Sequence, residues 1–182
     1  IGDHGQHDHQ GKHKPQRERE QPHRNKVVYF RGEIKYGRPV YQYGLIGNCQ
    51  ISALISAQGS LDWLCLPRPD SPPIFGKILD QEGGQFSISA SIPSSETTTT
   101  QQYLPNTNIL VTTVSLPNGD AFRITDFCPR FLQYGRIYRP AALFRIVEPL
   151  SGSPSIRVCC QPVSGWEKTP VRSVRGSSHV RY

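Results

Sequence analysis

The stretch NILVTTVSLPNGDAFRITDF, residues 108–127, holds two apolar-rich runs on either side of Pro117-Asn118-Gly119-Asp120. β-Branched and aromatic residues that alternate with polar ones and are interrupted by Asn-Gly form a strong hairpin signal. The register follows from keeping apolar residues opposite one another. A two-residue Asn118-Gly119 loop would set Val114 against Arg123. A three-residue loop of Pro117, Asn118 and Gly119 sets Val114 against Phe122 and Thr112 against Ile124. It also puts Pro117 where its ring presets φ, and Gly119 where the accompanying bulge needs a left-handed residue.

Outward from this hairpin the same signal repeats. QISALISA (50–57) alternates, with Ile51, Ala53, Ile55 and Ala57 on one side, and Gln58-Gly59-Ser60 turns it. FSISAS (86–91) alternates after Gly83-Gly84. AALFRIVE (141–148) and SIRVCCQ (155–161) are joined by the turn-forming PLSGSP, and SSHVRY ends the chain as one more strand. SSETTTTQQ (94–102) is polar and β-prone, and predicts a crossing segment or an edge strand. A short helix is expected near IFGKILD (74–80). Successive strands with turns and no helices between them predict an all-β fold, an antiparallel sandwich.

Composition bounds the rest. With 36% apolar and 9% aromatic residues, 16 Gly and 16 Pro, the 182-residue chain fits one turn-rich globular domain. Residues 1–26 contain a single apolar side chain, Ile1, with five of the six histidines. Such a segment cannot bury a core, so residues 1–35 read as a polar His-rich tail, disordered or introduced by cloning, ahead of a domain at 36–182. No run approaches the roughly 20 apolar residues that span a bilayer, and the amino end has no apolar signal core. No membrane association is expected. The chain contains no Met, even at position 1, and is read as a fragment or a processed product.

Five cysteines, 49, 65, 128, 159 and 160, include no CxxC pair, and four sit in apolar or strand-like surroundings. They point to a reducing, cytoplasmic setting. The net charge of +7 is concentrated after residue 135, where eight bases face two acids. Those bases are mostly arginines set singly between apolar residues, as Arg145 in FRIV and Arg157 in IRVCC, which is the pattern of solvent-facing positions on strands. A clustered basic stripe with stacking aromatics is missing, so no nucleic-acid partner is expected.

Most catalytic templates fail. His4, His7, His9 and His13 lack a framework that would fix four metal ligands, and no metal or other cofactor is expected. His179 is the one histidine outside the tail, and no GxSxG elbow, GxGxxG or P-loop occurs. Asp62, Asp70, Asp126, Glu148 and Glu167 are available as carboxylates, but the sequence does not pair them. The segment GSLDWLCLPRPDSPPIF (59–75) concentrates Asp62, Trp63, Arg68 and Asp70 among four prolines. Proline fixes φ and removes an amide donor, which predicts an ordered, extended loop here and argues against a central strand.

Three blocks, GLIGNCQISALISAQGSLDWLCLPRPDSPPIFGKILD (44–80), QQYLPNTNILVTTVSLPNGDAFRITDFCPRF (101–131) and RPAALFRIVEPLSGSPSIRVCCQPVSG (139–165), resemble the amino-terminal domain of bacterial glucoamylase and trehalase-like enzymes of glycoside hydrolase family 15. The resemblance covers residues 43–182 in the family's order. It implies a large antiparallel β-sandwich placed before a catalytic barrel of helical hairpins. In that barrel two glutamates hydrolyse α-glucosidic bonds with inversion, their carboxyls roughly 6.5–9.5 Å apart to admit a water. The chain stops before that barrel, so none of its own residues is assigned a catalytic role.

The function this implies is a noncatalytic domain that scaffolds the helical-barrel catalytic domain, with α-glucan or trehalose met only through the full-length enzyme. The resemblance also puts Asp62, Trp63, Arg68 and Asp70 on the side facing the barrel, as an interdomain contact reaching towards the substrate mouth. The plain alternative is that Asp62 caps the Gly59-Ser60 turn, Trp63 fills the core, and Arg68 and Asp70 form a local pair. The alternative function is a stand-alone sandwich binding carbohydrate or a protein, with Trp63, Tyr103 or Trp166 as a stacking surface. Because the family sandwich is larger than this piece, the domain is expected to be incomplete, with exposed edges and self-association.

Overall fold

A computed structural model describes residues 42–182. The tail assigned to 1–35 lies outside them. The strands run β1 (Tyr43–Gly47), β2 (Ser52–Ser56), β3 (Ser60–Cys65), β4 (Pro73–Phe75), β5 (Gln85–Ala90), β6 (Thr98–Tyr103), β7 (Leu110–Ser115) and β8 (Ala121–Phe127). They continue as β9 (Phe131–Gln133), β10 (Arg136–Tyr138), β11 (Phe144–Ser151) and β12 (Ile156–Gln161), then β13 (Val163–Ser164), β14 (Thr169–Pro170), β15 (Val174–Arg175) and β16 (Val180–Arg181). One sheet is ordered β1-β2-β3-β5-β12, with β4 also on β3; the other is β11-β8-β7-β6. Every pairing is antiparallel, and β9–β10, β13–β14 and β15–β16 are separate small ribbons.

The two large sheets close on a core to which both contribute. Ile46, Ile55 and Leu61 from the first meet Leu110 from the second and Cys128 just beyond β8, and Ile88 and Ala90 meet Val114, Phe122 and Ile124. The alternation expected for QISALISA holds, with Ile51, Ala53 and Ile55 buried. In the β7–β8 hairpin Thr112 faces Ile124 and Val114 faces Phe122, the register of the three-residue loop, with Gly119 at φ 87°. SSETTTTQQ supplies β6, an edge strand.

Three expectations are corrected. No helix forms at 74–80: β4 occupies its start, and a turn follows in which the amide of Leu79 donates to the Gly76 carbonyl at 2.9 Å. The segment 59–75 is not one loop, because Ser60–Cys65 is proline-free and forms β3, a central strand; the loop is confined to 66–72, where the prolines begin. Pro73 opens β4, a position where a strand tolerates the missing amide.

The third correction concerns Arg145. β11 presents Phe144 and Ile146 outward and turns Arg145 inward, its side chain 2% exposed. Opposite it on β8 is Asp126, wholly buried, on the same face as Phe122 and Ile124. Arg145 Nε donates to Asp126 Oδ1 at 2.7 Å and Nη2 to Oδ2 at 3.2 Å. The same guanidinium donates across the sandwich to the carbonyls of Gly59 (2.7 Å) and Phe86, and lies 4.9 Å from the centre of the Phe86 ring. Burial pushes the Asp126 carboxyl up from its usual range, and the Arg145 hydrogen bonds and charge pull it back. Arg157, by contrast, faces solvent as expected.

Removing one partner of a buried ion pair strands the other charge, at a cost of about 3–5 kcal/mol, whereas replacing both with apolar side chains costs far less. Arg145→Leu should therefore lower the unfolding free energy by about 3–5 kcal/mol in urea titration. Arg145→Leu with Asp126→Leu should recover much of that loss. Equal stability of wild type and Arg145→Leu contradicts this account of the core.

Candidate functional site

One end of the sandwich gathers the β1–β2 tip, the proline loop 66–72, the loop before β7 and the segment 128–143. Asn48 organises it. This buried amide donates to the carbonyls of Pro129 (3.0 Å) and Pro140 (2.8 Å), and its Oδ1 accepts from the amides of Gln50 (3.0 Å) and Ile51 (3.1 Å). All four hydrogen-bonding positions of the side chain are filled. Asn108 Nδ2 donates to the Gly47 carbonyl, and Tyr103 bridges the amide and carbonyl of Leu45, so the β1 edge is tied to the second sheet.

The four residues expected to act together fall into three settings. β2 and β3 lose register between Leu54 and Ile55, which leaves Asp62 as the extra residue of a bulge. A bulge re-aims its side chain. Asp62, 5% exposed, accepts from Ser60 Oγ at 2.5 Å and from the Tyr43 hydroxyl at 2.9 Å. Trp63 lies on the outer face of the first sheet, its ring 6.4 Å from that of Trp166. Arg68 and Asp70 sit in the turn closed by Ser71 N–H to Arg68 O at 3.1 Å and pair bidentately at 2.9 and 2.7 Å, both about two-thirds exposed. No hydrogen bond or ion pair joins Asp62 to Arg68 or Asp70 among the described residues.

Two of the other candidate carboxylates are engaged too. Asp126 holds Arg145, and Glu148 receives Arg123 at 3.0 Å across the strand pair. Glu167 follows Trp166 in the β13–β14 turn. Lys168, at φ 54°, fastens that turn by donating to Asp80 at 2.7 Å, and the neighbouring ammonium holds the Asp80 carboxyl below its usual value. Beside Trp166 is a cavity of about 270 Å³ lined by Pro73, Leu79, Asp80 and Lys168. No group of three or more His, Cys, Asp or Glu side chains poised for a metal occurs among the described residues. All five cysteines are free; burial pushes the Cys128 thiol up to about 11, with the Asp126 charge adding to the effect.

Sequence reasoning missed Asn48 and the β9–β10 hairpin. Asn48 carried a usable signal, since an Asn after Leu-Ile-Gly and before an apolar strand favours an Asx turn. The hairpin turns on Tyr134 and Gly135, both at positive φ (50° and 73°), a conformation in which tyrosine is uncommon.

Residues 27–181 match the family model described as trehalase-like, N-terminal. The chain is 36% identical over 149 residues to a trehalase of Thermoplasma volcanium, covering 78% of this chain and 23% of that protein. It is 44% identical over 84 residues to a trehalase of Mycolicibacterium smegmatis and 41% identical over 84 residues to one of Mycobacterium tuberculosis, each covering 44% of this chain and 12% of the relative. The chain thus spans less than a quarter of the length of these relatives. No solved structure matches it.

Asn48 and Arg68 should separate in urea titration. Asn48→Ala leaves two carbonyls and two amides without their partner at a buried site, and should cost about 2–4 kcal/mol. Arg68→Ala removes an exposed pair worth at most about 1 kcal/mol. A loss at Arg68 as large as that at Asn48 would reverse this ranking.

Proposed function

Because the chain belongs to the family of trehalase-like N-terminal domains, we propose that it is the noncatalytic amino-terminal domain of a glucoamylase- or trehalase-type hydrolase of α-glucosidic bonds. Its role is to scaffold a catalytic domain that follows it, a helical barrel of the glycoside hydrolase family 15 kind. Trehalose is the favoured substrate of the whole enzyme, since the relatives that match this domain are named trehalases. The observation that carries the reading is the family match along 27–181, in relatives more than four times the length matched.

The chemistry of the described residues supports a scaffold. Asp62, Asp70, Asp126 and Glu148, four of the carboxylates available for acid–base work, are each held by a structural partner. Arg68 and Asp70, exposed and preorganised, are the residues of the proline loop best placed for an interdomain contact. The five free thiols favour a reducing, cytoplasmic setting; no helix among the described residues is long and apolar enough to cross a membrane.

A second reading, a sandwich that itself binds glycan, is favoured by the exposed Trp166 set against Trp63 beside a polar-rimmed cavity. Aromatic faces bind sugar rings, but they also serve as protein contacts. Two measurements on the 182-residue chain separate the readings. Assayed on trehalose, maltose, isomaltose and starch it should show no turnover, and measurable hydrolysis overturns the noncatalytic assignment. In calorimetric titration with maltooligosaccharides it should show no saturable heat. Saturable binding lost in Trp166→Ala favours the glycan module.

A further inference from the structure

The β9–β10 hairpin departs from the rest of the fold in what it exposes. Phe131 pairs with Tyr138, Leu132 with Ile137 and Gln133 with Arg136. Tyr134 is 96%, Leu132 76% and Ile137 56% exposed, while Phe131 and Tyr138 pack ring to ring at 5.2 Å and remain half exposed. Leu132 and Ile137 share one face of the ribbon, with Tyr134 at its turn, while Phe131 and Tyr138 lie on the other; the first face is an exposed apolar patch of the kind that marks an interaction site.

This patch is rigidly mounted. Asn48 grips both flanks of the hairpin through the carbonyls of Pro129 and Pro140. Arg130 donates to Cys49 Sγ at 3.1 Å and Arg139 to the Cys49 carbonyl at 3.3 Å, which fasten the same stem to the β1–β2 tip. A preorganised apolar element loses little conformational freedom on docking.

Charge decides what fits it. Residues 128–141 carry Arg130, Arg136 and Arg139 and no acid. None of the three arginines has a carboxylate partner among the described residues. A second copy apposed through this surface would bring like charges together, which is costly. An apolar surface that bears carboxylates would complement it.

We propose that the β9–β10 hairpin is the plug by which this domain docks onto the remainder of the full-length enzyme, seating Leu132, Tyr134 and Ile137 in an apolar recess rimmed by acidic side chains. The proposal rests on the scaffold reading above. It adds which surface engages and the chemistry of what receives it.

Hydrogen exchange followed by mass spectrometry tests it without any substitution. The 182-residue chain is compared with the full-length polypeptide that carries this domain. Amides of 131–138 should exchange at least tenfold more slowly in the full-length protein. Arg136→Glu should restore fast exchange there and leave the melting temperature of the 182-residue chain unchanged. Equal exchange of 131–138 in the two proteins overturns the docking, even where the full-length protein hydrolyses trehalose. Slowing that appears in the 182-residue chain as its concentration rises also overturns it, in favour of a second copy. Slowing in a full-length protein that does not cleave trehalose supports the docking and removes the substrate assignment instead.

Discussion

Arg145 ties together segments that are far apart in sequence and lie in both sheets. Its guanidinium is held by Asp126 of β8 and reaches the Gly59 carbonyl in the β2–β3 turn and the Phe86 carbonyl on β5. A buried charge is tolerated only when its hydrogen bonds are met, and the donors of this fork go to a carboxylate and to main-chain acceptors supplied by the opposite sheet. The sandwich therefore closes in one register. If β11 slips by a single residue, Arg145 moves to the outer face and Asp126 is left without its counter-ion. Gly59, at φ 80° and already 3.0 Å from Ile124 Cδ1 at the place a Cβ would occupy, lets its carbonyl meet the guanidinium.

The same logic, polar satisfaction used as fastening, recurs at the end of the sandwich with neutral groups. Asn48 fills its four positions with main-chain partners from three segments, and Tyr103 and Asn108 tie the β1 edge to the second sheet. The fastening differs between the two sides. The strands β11 and β12, outermost in their sheets, leave apolar side chains exposed, Phe144 and Ile146 on the outer face of β11 and Val158 opposite Ile88 on the core-side face of β12. A domain built in this way is held firmly where loops converge and leaves apolar surface exposed at its outer strands.

Much of this was legible in the sequence. The β7–β8 register followed from matching Val114 with Phe122 around a Pro-Asn-Gly loop, because local turn chemistry and apolar pairing agreed. Arg145 was misread because its neighbours Phe144 and Ile146 are apolar, and a strand whose apolar residues face outward inverts the usual pattern. The information was available on the partner strand: Asp126 shares the parity of Phe122 and Ile124, faces the core, and so demands a cation. Asp62 and Trp63 were assigned to a loop because prolines dominate the quoted stretch, yet the prolines start only at Pro67. The positions of Asp62 in a bulge and of Trp63 beside Trp166 depend on contacts across 19 and 103 residues of chain, which no local pattern encodes.

The claim that Arg145 is locked inside the sandwich is tested most directly by the exchange of its own Nε proton, observed by nuclear magnetic resonance on the 182-residue chain. Buried and donated to Asp126, that proton should exchange only as fast as the slowest core amides of β7 and β8, through global unfolding. Its exchange rate should fall at least a thousandfold below that of exposed arginines such as Arg157. An Arg145 Nε proton that exchanges as fast as theirs would mean that the guanidinium is open to water, and the account of the core would fail.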